Sequence, residues 1–225
     1  MIDYVKSSLK HNILTAPGDN TKLAKEVKGY DAWGLSLSPA KTSGYQVCSS
    51  SSAGCRSGCL FYAGRGRMAN VSKGRIEKTK LFFVDRPAFM SMLAISICRA
   101  INNSEKRGKI PVFRPNVFSD IRWENIKTRI PEDVEQYIWN FYGRRMSDNI
   151  IDSFPDYQFY DYTKHMDRLS RDIPTNYDLT FSVSEENKHL RSDFSRSSSM
   201  NLAVVTKDTP SSLYGRQTIS GDNHD

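Results

Sequence analysis

Residues 32–59 read AWGLSLSPAKTSGYQVCSSSSAGCRSGC, a short apolar segment followed by a polar loop that carries three cysteines. The first part, Ala32–Leu37, is largely apolar, as expected for a strand buried in a parallel sheet. The loop is rich in serine and glycine, so its backbone can wrap closely around a bound group. In parallel α/β sheets, functional residues collect where a strand ends and its loop begins. This stretch therefore predicts both a class of fold and the position of a site.

Further segments with the apolar content of strands follow along the chain: Pro111–Phe118, Tyr157–Tyr162, Leu179–Val183 and Asn201–Thr206. Helical patterns occur among them, in four segments: Pro87–Asn103, Glu132–Met146, His165–Arg171 and Glu185–Ser195. This alternation predicts an α/β protein with mostly parallel strands and right-handed crossovers. The architecture is then a complete or partial (βα) barrel, or an open doubly wound sheet.

The length of 225 residues predicts one α/β domain over residues 1–225, with residues 1–30 as an N-terminal extension. No apolar run approaches the length of a membrane helix, so we expect no membrane contact. The N-terminus has neither the basic and apolar regions of a signal peptide nor the pattern of a transit peptide. We therefore expect a cytoplasmic protein.

Positive charge is concentrated in the first half of the chain. Residues 1–110 carry 18 Lys and Arg against 7 Asp and Glu, whereas residues 111–225 carry 14 against 18. Much of the excess lies in the basic segment, residues 56–80: Arg56, Arg65, Arg67, Lys73, Arg75, Lys78 and Lys80. These cations are a solvated surface, a contact for nucleic acid or protein, or the counter-charge of an anionic ligand or cluster. The sequence leaves the three interpretations open.

The cysteine loop, residues 45–62, contains Cys48, Cys55 and Cys59 in a C-x6-C-x3-C pattern. Four cysteines without an export signal favour metal binding or reactive thiols over disulfides. Three thiolates in one small-residue loop are typical of an iron–sulfur site. Zinc is the main alternative, but structural zinc sites commonly use two close pairs of ligands. A three-ligand catalytic zinc site and redox-active thiols are the remaining alternatives.

The fourth cysteine, Cys98, lies on the apolar face of the predicted helix at residues 87–103, where a free cysteine acts as a small hydrophobic residue. We expect it to pack in the core. One iron of a cluster would then lack a cysteine ligand. That iron is open to a substrate, or it takes a ligand from Asp120, His165 or His224.

Polar side chains follow the predicted strands. The residues expected to shape a ligand pocket at this edge of the sheet are Asn116, Asp120, Lys164 and Asn187. Arg114 lies inside a predicted buried strand, where an unpaired charge is costly. We expect it to have an anionic partner, either Asp120, Asp161 or a bound anionic small molecule.

Several motifs of the chain occur in the same order in a known family. They are CLFYAGRG (59–66), FRPNVFSD (113–120), YQFYDYTKHMDR (157–168), LTFSVSEEN (179–187), NLAVVTK (201–207) and ISGDNHD (219–225). With the cysteine loop, this order resembles the mycobacteriophage gene product 88 family from about residue 20 onward. The resemblance implies a phage protein made in the cytoplasm of an infected bacterial host, with association with the virion as a further expectation.

A more distant resemblance is to radical S-adenosylmethionine enzymes, which place a three-cysteine loop after the first strand of a partial α/β barrel. It implies a partial (βα) barrel with a [4Fe–4S] cluster at its mouth, on Cys48, Cys55 and Cys59. The usual C-x3-C-x2-C spacing of those enzymes differs from the spacing here, so the motif does not support S-adenosylmethionine as a cofactor. The resemblance informs fold and cluster position more than reaction.

Two classes of function follow from the sequence. As an enzyme, the protein would bind a small ligand at an open iron. As a non-enzymatic protein, it would use its cluster for structure, electron transfer or redox sensing. In that case the basic segment would contact nucleic acid or a virion or host protein.

Overall fold

The computed structural model describes residues 10–19, 23, 29–170, 172–190 and 200–221. Its main sheet has six strands, whose order across the sheet is their order along the chain: β1 (Leu14–Thr15), β2 (Tyr30–Leu35), β3 (Ile110–Arg114), β4 (Gln158–Thr163), β5 (Tyr177–Ser182) and β6 (Asn201–Ala203). β1 pairs antiparallel with β2, and every other neighbouring pair is parallel. The predicted α/β fold with mostly parallel strands is confirmed.

The strand order separates the predicted architectures. A doubly wound sheet reverses its order at a switch point, and β2 to β6 run without a reversal. Within the described residues, β1 and β6 are the two edges, and no hydrogen bonds join them into a closed barrel. The structure thus shows a mixed α/β protein built on a six-stranded sheet, and the partial barrel stays a prediction.

Four α-helices accompany the sheet in the described residues: α1 (Ala53–Ser57), α2 (Ala69–Val84), α3 (Arg86–Glu105) and α4 (Glu132–Tyr142). The Asp85 side chain caps α3 by accepting a hydrogen bond from the amide of Ala88 at 3.0 Å. Gly143, in the left-handed conformation with φ of 71°, ends α4. The predicted helix at 132–146 is therefore shorter than expected.

The sequence analysis assigned no helix to residues 69–84, where the structure places α2. The prediction missed it because polar and charged side chains surround this helix, and only Thr79 and Phe82 are buried. Two predicted helices are instead short 3-10 turns, Met166–Ser170 and Lys188–Leu190. The end of the second prediction, residues 191–195, lies outside the described residues.

The core forms where α3 packs on the sheet. Twelve residues of α3 are buried, and Cys98 is among them. They pack with strand residues that include Leu35, Phe113 and Phe159. Glycine is required at position 34 of β2, because neighbouring side chains approach its backbone closely. A Cβ atom there would lie 2.6 Å from side-chain atoms of both Leu23 and Val117.

The ends of the chain add smaller elements. β1 lies within the predicted N-terminal extension and joins the sheet through its pairing of Leu14 with Leu35. A hairpin of β7 (Ser212–Leu213) and β8 (Arg216–Gln217) forms a separate two-stranded sheet. None of the helices in the described part of the chain is long and apolar enough to cross a membrane.

Candidate functional site

The cysteine loop follows β2 and lies directly on the loop that follows β3. The thiol of Cys48 lies 3.3 Å from the carbonyl oxygen of Phe118. The amide of Asp120 donates a hydrogen bond to the carbonyl oxygen of Val47 at 2.8 Å. These contacts run in both directions between the two loops, so each loop fixes the position of the other.

The loops after β4 and β5 meet the same cysteine loop. The hydroxyl of Ser50 lies 2.8 Å from Nδ1 of His165, which follows β4. The amide of Gly54 donates to Oε1 of Glu185, which follows β5, at 2.9 Å. The structure therefore brings the polar loops of four consecutive strands together at one edge, which we call the rim. The sequence argument had expected this from the topology of parallel strands.

Cys55 lies on α1, and neighbouring loops hold the start of this short helix. The Ser52 hydroxyl accepts a hydrogen bond from the amide of Cys55 at 3.1 Å. The hydrogen bond to Ser52 is the main reason that the pKa of Glu185 is lowered. A Cβ at Gly54 would lie 2.7 Å from Oε1 of Glu185, so glycine allows this close approach. Cys55 itself is exposed.

Cys48 and Cys59 are partly buried. Burial raises the pKa of the Cys48 thiol to about 11, and the charges of Asp120, Cys59 and Cys55 raise it further. Cys48 is thus a neutral thiol at pH 7 in the absence of a bound cation.

Cys98 has the environment that the sequence predicted. It is fully buried in the main apolar cluster, apart from the rim. Burial raises the pKa of its thiol to about 12, so it stays protonated. It packs in the core as a small hydrophobic residue.

Among the described residues, no three His, Cys, Asp or Glu side chains converge closely enough to hold one metal ion. The cysteine loop offers three sulfur atoms, the soft donors that zinc and iron–sulfur clusters both take. In a [4Fe–4S] cluster, each thiolate would bind a different iron.

The positively charged side chain of Arg75 lies near Cys59 of this loop. The Arg75 guanidinium lies 4.5 Å from the centre of the Phe118 ring and 5.3 Å from that of Phe61. Burial lowers the pKa of Arg75, and the nearby Cys59 sulfur opposes that shift. Its Nη1 atom is buried and has no hydrogen-bond partner among the described residues. An unsatisfied buried cation is costly, so an anionic group at the cysteines would relieve it.

Lys78 is the second inward-facing cation of α2. Its Nζ atom donates to the carbonyl oxygen of Ile13 at 3.1 Å. Burial lowers the pKa of Lys78 to about 8, and the charge of Arg75 adds to this effect. The basic segment is therefore divided, because its other five cations are exposed: Arg56, Arg65, Arg67, Lys73 and Lys80.

Asn116 is a structural organiser of the loop after β3. It is buried, and its amide nitrogen donates to Asp161 at 2.8 Å and to the carbonyl oxygen of Ile121 at 2.9 Å. Its side-chain oxygen accepts from Ser119 at 2.8 Å and from Trp123 at 3.2 Å. A ligand at Asn116 would have to displace one of these bonds.

The other three predicted pocket residues line the rim and connect its loops. Asp120 accepts hydrogen bonds from the Thr163 hydroxyl at 2.9 Å and from the amide of Lys164 at 2.8 Å. The Lys164 ammonium donates to the hydroxyl of Ser182 at 2.7 Å. Asn187 donates to the carbonyl oxygen of the same serine at 3.2 Å. Asp120, Lys164 and Asn187 thus form a chain from β3 to β5 beside the cysteine loop.

A buried ionic network underlies the rim, and the sequence analysis missed its centre, Arg168. This residue is 1% exposed, and its guanidinium lies 2.7 Å from Glu124 and 3.6 Å from Asp120. Burial raises the pKa of Asp161 to about 7, and the charge of Arg114 lowers it in part. The charge of Arg114 therefore acts on Asp161, and the identity of the anionic partner of Arg114 stays a prediction. Arg168 gave no sequence signal because it follows a strand in an otherwise polar segment.

The remaining candidate ligands differ in position. His165 lies at the rim and contacts the cysteine loop through Ser50. His224 lies outside the described residues.

Fold and rim together define an α/β protein that carries a cysteine loop on the edge of a parallel sheet where its strands end. The family model described as gene product 88 matches residues 10–225. The chain belongs to the gene product 88 family, and the resemblance seen in the sequence is confirmed. Neither the search of curated proteins nor the search of solved structures gave a significant match.

Proposed function

We propose that this protein holds a [4Fe–4S] cluster through Cys48, Cys55 and Cys59 at the rim of the sheet. The observation that carries the proposal is the buried Nη1 atom of Arg75 near Cys59, which has no hydrogen-bond partner in the described part of the chain. A cluster bound by three thiolates is anionic and would balance this charge. When bound, it would supply electron transfer, or an iron site for a small ligand.

The residues of the chain prepare the loop for such a group. The short helix α1 holds Cys55 apart from Cys48, and Ser52 fixes its first turn. Arg75 offers positive charge near Cys59, beside the aromatic rings of Phe61 and Phe118. Since Cys48 is protonated without a cation, cluster binding releases a proton there and is favoured by higher pH.

The architecture that we infer is a partial (βα) barrel similar to that of radical S-adenosylmethionine enzymes. It is supported by the unbroken parallel order of β2 to β6 and by the position of the cysteine loop directly after β2. A small anionic ligand at an open iron would lie near Asp120, Lys164 and Asn187. The cysteine spacing does not support S-adenosylmethionine as that ligand.

The test is anaerobic purification followed by analysis of iron, sulfide and zinc, with absorbance and EPR spectra. We expect iron and sulfide in equal amounts and an EPR signal on reduction. Cys48→Ala, Cys55→Ala and Cys59→Ala should each lose the cluster, while Cys98→Ala is the matched control that keeps it. A colourless protein with stoichiometric zinc would overturn the proposal. A change of the EPR signal on adding S-adenosylmethionine would support an open iron.

A second candidate function is contact with nucleic acid through the exposed part of the basic segment. Arg56, Arg65 and Arg67 are exposed beside the exposed aromatic residue Tyr62, and cations interleaved with aromatics suit single strands. Fluorescence anisotropy with labelled DNA and RNA at several salt concentrations tests this. Binding that falls with salt and weakens in the R65A/R67A double variant supports it, and binding indifferent to both excludes it.

We infer from membership of the family that the protein acts in the cytoplasm of an infected bacterial host. Association with the virion is the alternative location. Immunoblots of infected-cell lysate and of purified particles separate the two. Signal confined to the lysate supports the first location.

A further inference from the structure

The two faces of the main sheet carry different side chains. On one face, Trp33, Phe113 and Phe159 lie in register on neighbouring strands and pack in the core with α3. Because successive residues of a strand point to opposite faces, Arg114 points away from this core. We call its side of β3, β4 and β5 the polar face, which also carries four partly exposed residues: Tyr160, Tyr162, Thr180 and Ser182.

Arg114 is buried on the polar face against aromatic and apolar groups. It is 6% exposed, and its guanidinium lies 4.7 Å from the centre of the Tyr162 ring and 5.8 Å from that of Tyr160. Its paired residue on β2 is Gly34, whose backbone is approached closely by Leu23 and Val117. The surroundings of Arg114 thus hold the guanidinium in place without a negative charge.

The hydrogen-bonding capacity of Arg114 is not used inside the described part of the chain. Its Nε atom is buried and has no hydrogen-bond partner there. None of the ion pairs between described residues includes Arg114. A guanidinium can only donate, and a buried donor without an acceptor is costly. The stacking on two rings offsets this cost only in part.

Asp161, one carboxylate expected as a partner of Arg114, is used elsewhere. It alternates with Tyr160 along β4 and therefore lies on the core side of the sheet. Its oxygens accept hydrogen bonds from the backbone amide and the side-chain amide of Asn116, both at 2.8 Å, and from the Tyr177 hydroxyl at 2.7 Å. The charge of Arg114 lowers the pKa of Asp161 without forming an ion pair with it.

Asp120, the other carboxylate expected as a partner, is also used elsewhere. Both of its oxygens accept hydrogen bonds from the loop after β4, and Arg168 lies 3.6 Å away. Neither carboxylate that the sequence offered to Arg114 therefore pairs with it in the structure. A bound anion is the remaining partner among those expected.

The polar face offers further groups to such a ligand toward the rim. The Lys164 ammonium donates to the hydroxyl of Ser182 at 2.7 Å. Tyr162, which stacks on Arg114, is paired with Thr180. A ligand lying over these partly exposed residues would meet a buried guanidinium first, and then hydroxyl groups and a second cation.

We propose that the polar face binds a small molecule that carries a carboxylate or phosphate group, and that Arg114 binds this oxyanion. A guanidinium suits the role because its planar fork donates two parallel hydrogen bonds to either group. Aromatic rings on its faces leave the N–H groups in its plane free to reach oxygen atoms. The site contains no cysteine, so it goes beyond the proposed cluster and does not depend on it.

The test is NMR of the arginine Nε–H groups in the full-length, ¹⁵N-labelled protein, assigned by through-bond experiments. We expect the Arg114 signal to shift saturably on titration with inorganic phosphate or with acetate, at ionic strength held constant with sodium chloride. A shift with phosphate alone identifies a phosphate ligand, and a shift with acetate alone identifies a carboxylate ligand. If neither anion gives a saturable shift of the Arg114 signal, the proposal is wrong.

Thermal unfolding gives a second measurement, because an anion that binds only the folded state raises its Tm. In Arg114→Met, the concentration of anion needed for a given rise should increase about 10-fold, since charged hydrogen bonds are lost. Arg144→Met is the matched control at an exposed position and should respond as wild type. An equal response of all three proteins would contradict the proposal. If Arg114→Met does not fold, the titration of the wild-type protein decides.

The result also separates this site from the cysteine loop. An anion held by Arg75 would shift the Arg75 signal and leave that of Arg114 unchanged, which would overturn this inference and keep the proposed cluster intact. The Arg114 shift should therefore persist in Arg75→Met. A protein that binds no cluster but shows the saturable Arg114 shift would overturn the proposed function alone.

Discussion

Two arginines near the rim, Arg168 fully buried and Arg75 half-buried, have opposite surroundings. Arg168 lies among carboxylates, with Glu124 at 2.7 Å and Asp120 at 3.6 Å. Arg75 lies among the aromatic rings of Phe61 and Phe118, and within the described part of the chain no ion pair involves it. One charge is neutralised by the protein itself, whereas the other is not.

The difference shows which arginine charge is paired within the protein and which one is available to an anionic ligand. A buried charge is retained when it is paired or binds a ligand. Arg168 meets the first condition and therefore has a structural role. Arg75 meets neither among the described residues, and Cys59 lies near it. The comparison is thus the strongest physical argument for an anionic group at the cysteine loop.

Replacing Arg168 by methionine should have the largest effect on stability. The variant leaves Glu124 and Asp120 without their cation, and breaking a buried pair in this way costs about 3–5 kcal/mol. Urea denaturation of the apo protein measures this loss. Arg144→Met is the control, because the Arg144 pair with Asp156 is exposed and should contribute less than about 1 kcal/mol. Equal losses in both variants would contradict the comparison.

The stability contributed by the buried ionic network around Arg168 should also depend on pH, through Asp161. Burial raises its pKa from the usual 3.8 to about 7, so the folded state binds a proton that the unfolded state releases. This contribution is fully present below pH 4 and is lost as pH rises to 7, by up to about 4 kcal/mol. Asp161→Asn should flatten the slope of unfolding free energy against pH. An unchanged slope would mean that another group titrates there.

Arg75→Met tests the arginine that has no ion pair in the described part of the chain, and it should give a contrasting result. In the apo protein the change removes an unsatisfied buried donor, so the free energy of unfolding should stay within about 1 kcal/mol of wild type. In the loaded protein it removes the counter-charge of the cluster. Since outer partners of a metal site commonly contribute 10–100-fold to affinity, iron loss to a chelator should be about 10-fold faster.

The control for Arg75 is Lys73→Met, an exposed position on the same helix. It should change neither stability nor the rate of iron loss. A large loss of apo stability in Arg75→Met would show that Arg75 is satisfied within the protein. That result would remove the main support for the cluster.

The sequence predicted the parallel strands well because their apolar content reflects burial on both faces of a sheet. The segments Ala32–Leu37 and Tyr157–Tyr162 lie within two residues of β2 and β4. The helix α2 was missed because its buried surface is small and its polar residues have no helical periodicity. Because the helix was missed, the inward orientation of Arg75 could not be predicted either. The helical geometry of this segment is what places some of its cations inward and others outward.

The loops of the rim could be located from the sequence, but the roles of their residues could not. Asn116 and Asp120 follow β3, as expected, yet every polar group of Asn116 is used inside the protein. Pairings over long sequence separations, such as Arg168 with Glu124, depend on the three-dimensional fold. The contacts of the His165 ring likewise depend on the Asp120 carbonyl and on Arg122, which only the folded rim brings together.

The smallest effect is expected from the exposed part of the basic segment, in the R65A/R67A double variant. Both side chains are exposed, and Arg67 donates to the carbonyl oxygen of Tyr62 at 2.8 Å. Surface substitutions of this kind usually change stability by less than about 0.5 kcal/mol per site. Iron retention should equal that of wild type, because these charges are screened by solvent and lie outside the rim. If iron were lost as fast as in Arg75→Met, the protein would balance its cluster by general positive charge, and the division of the segment into inward and outward cations would have no functional meaning.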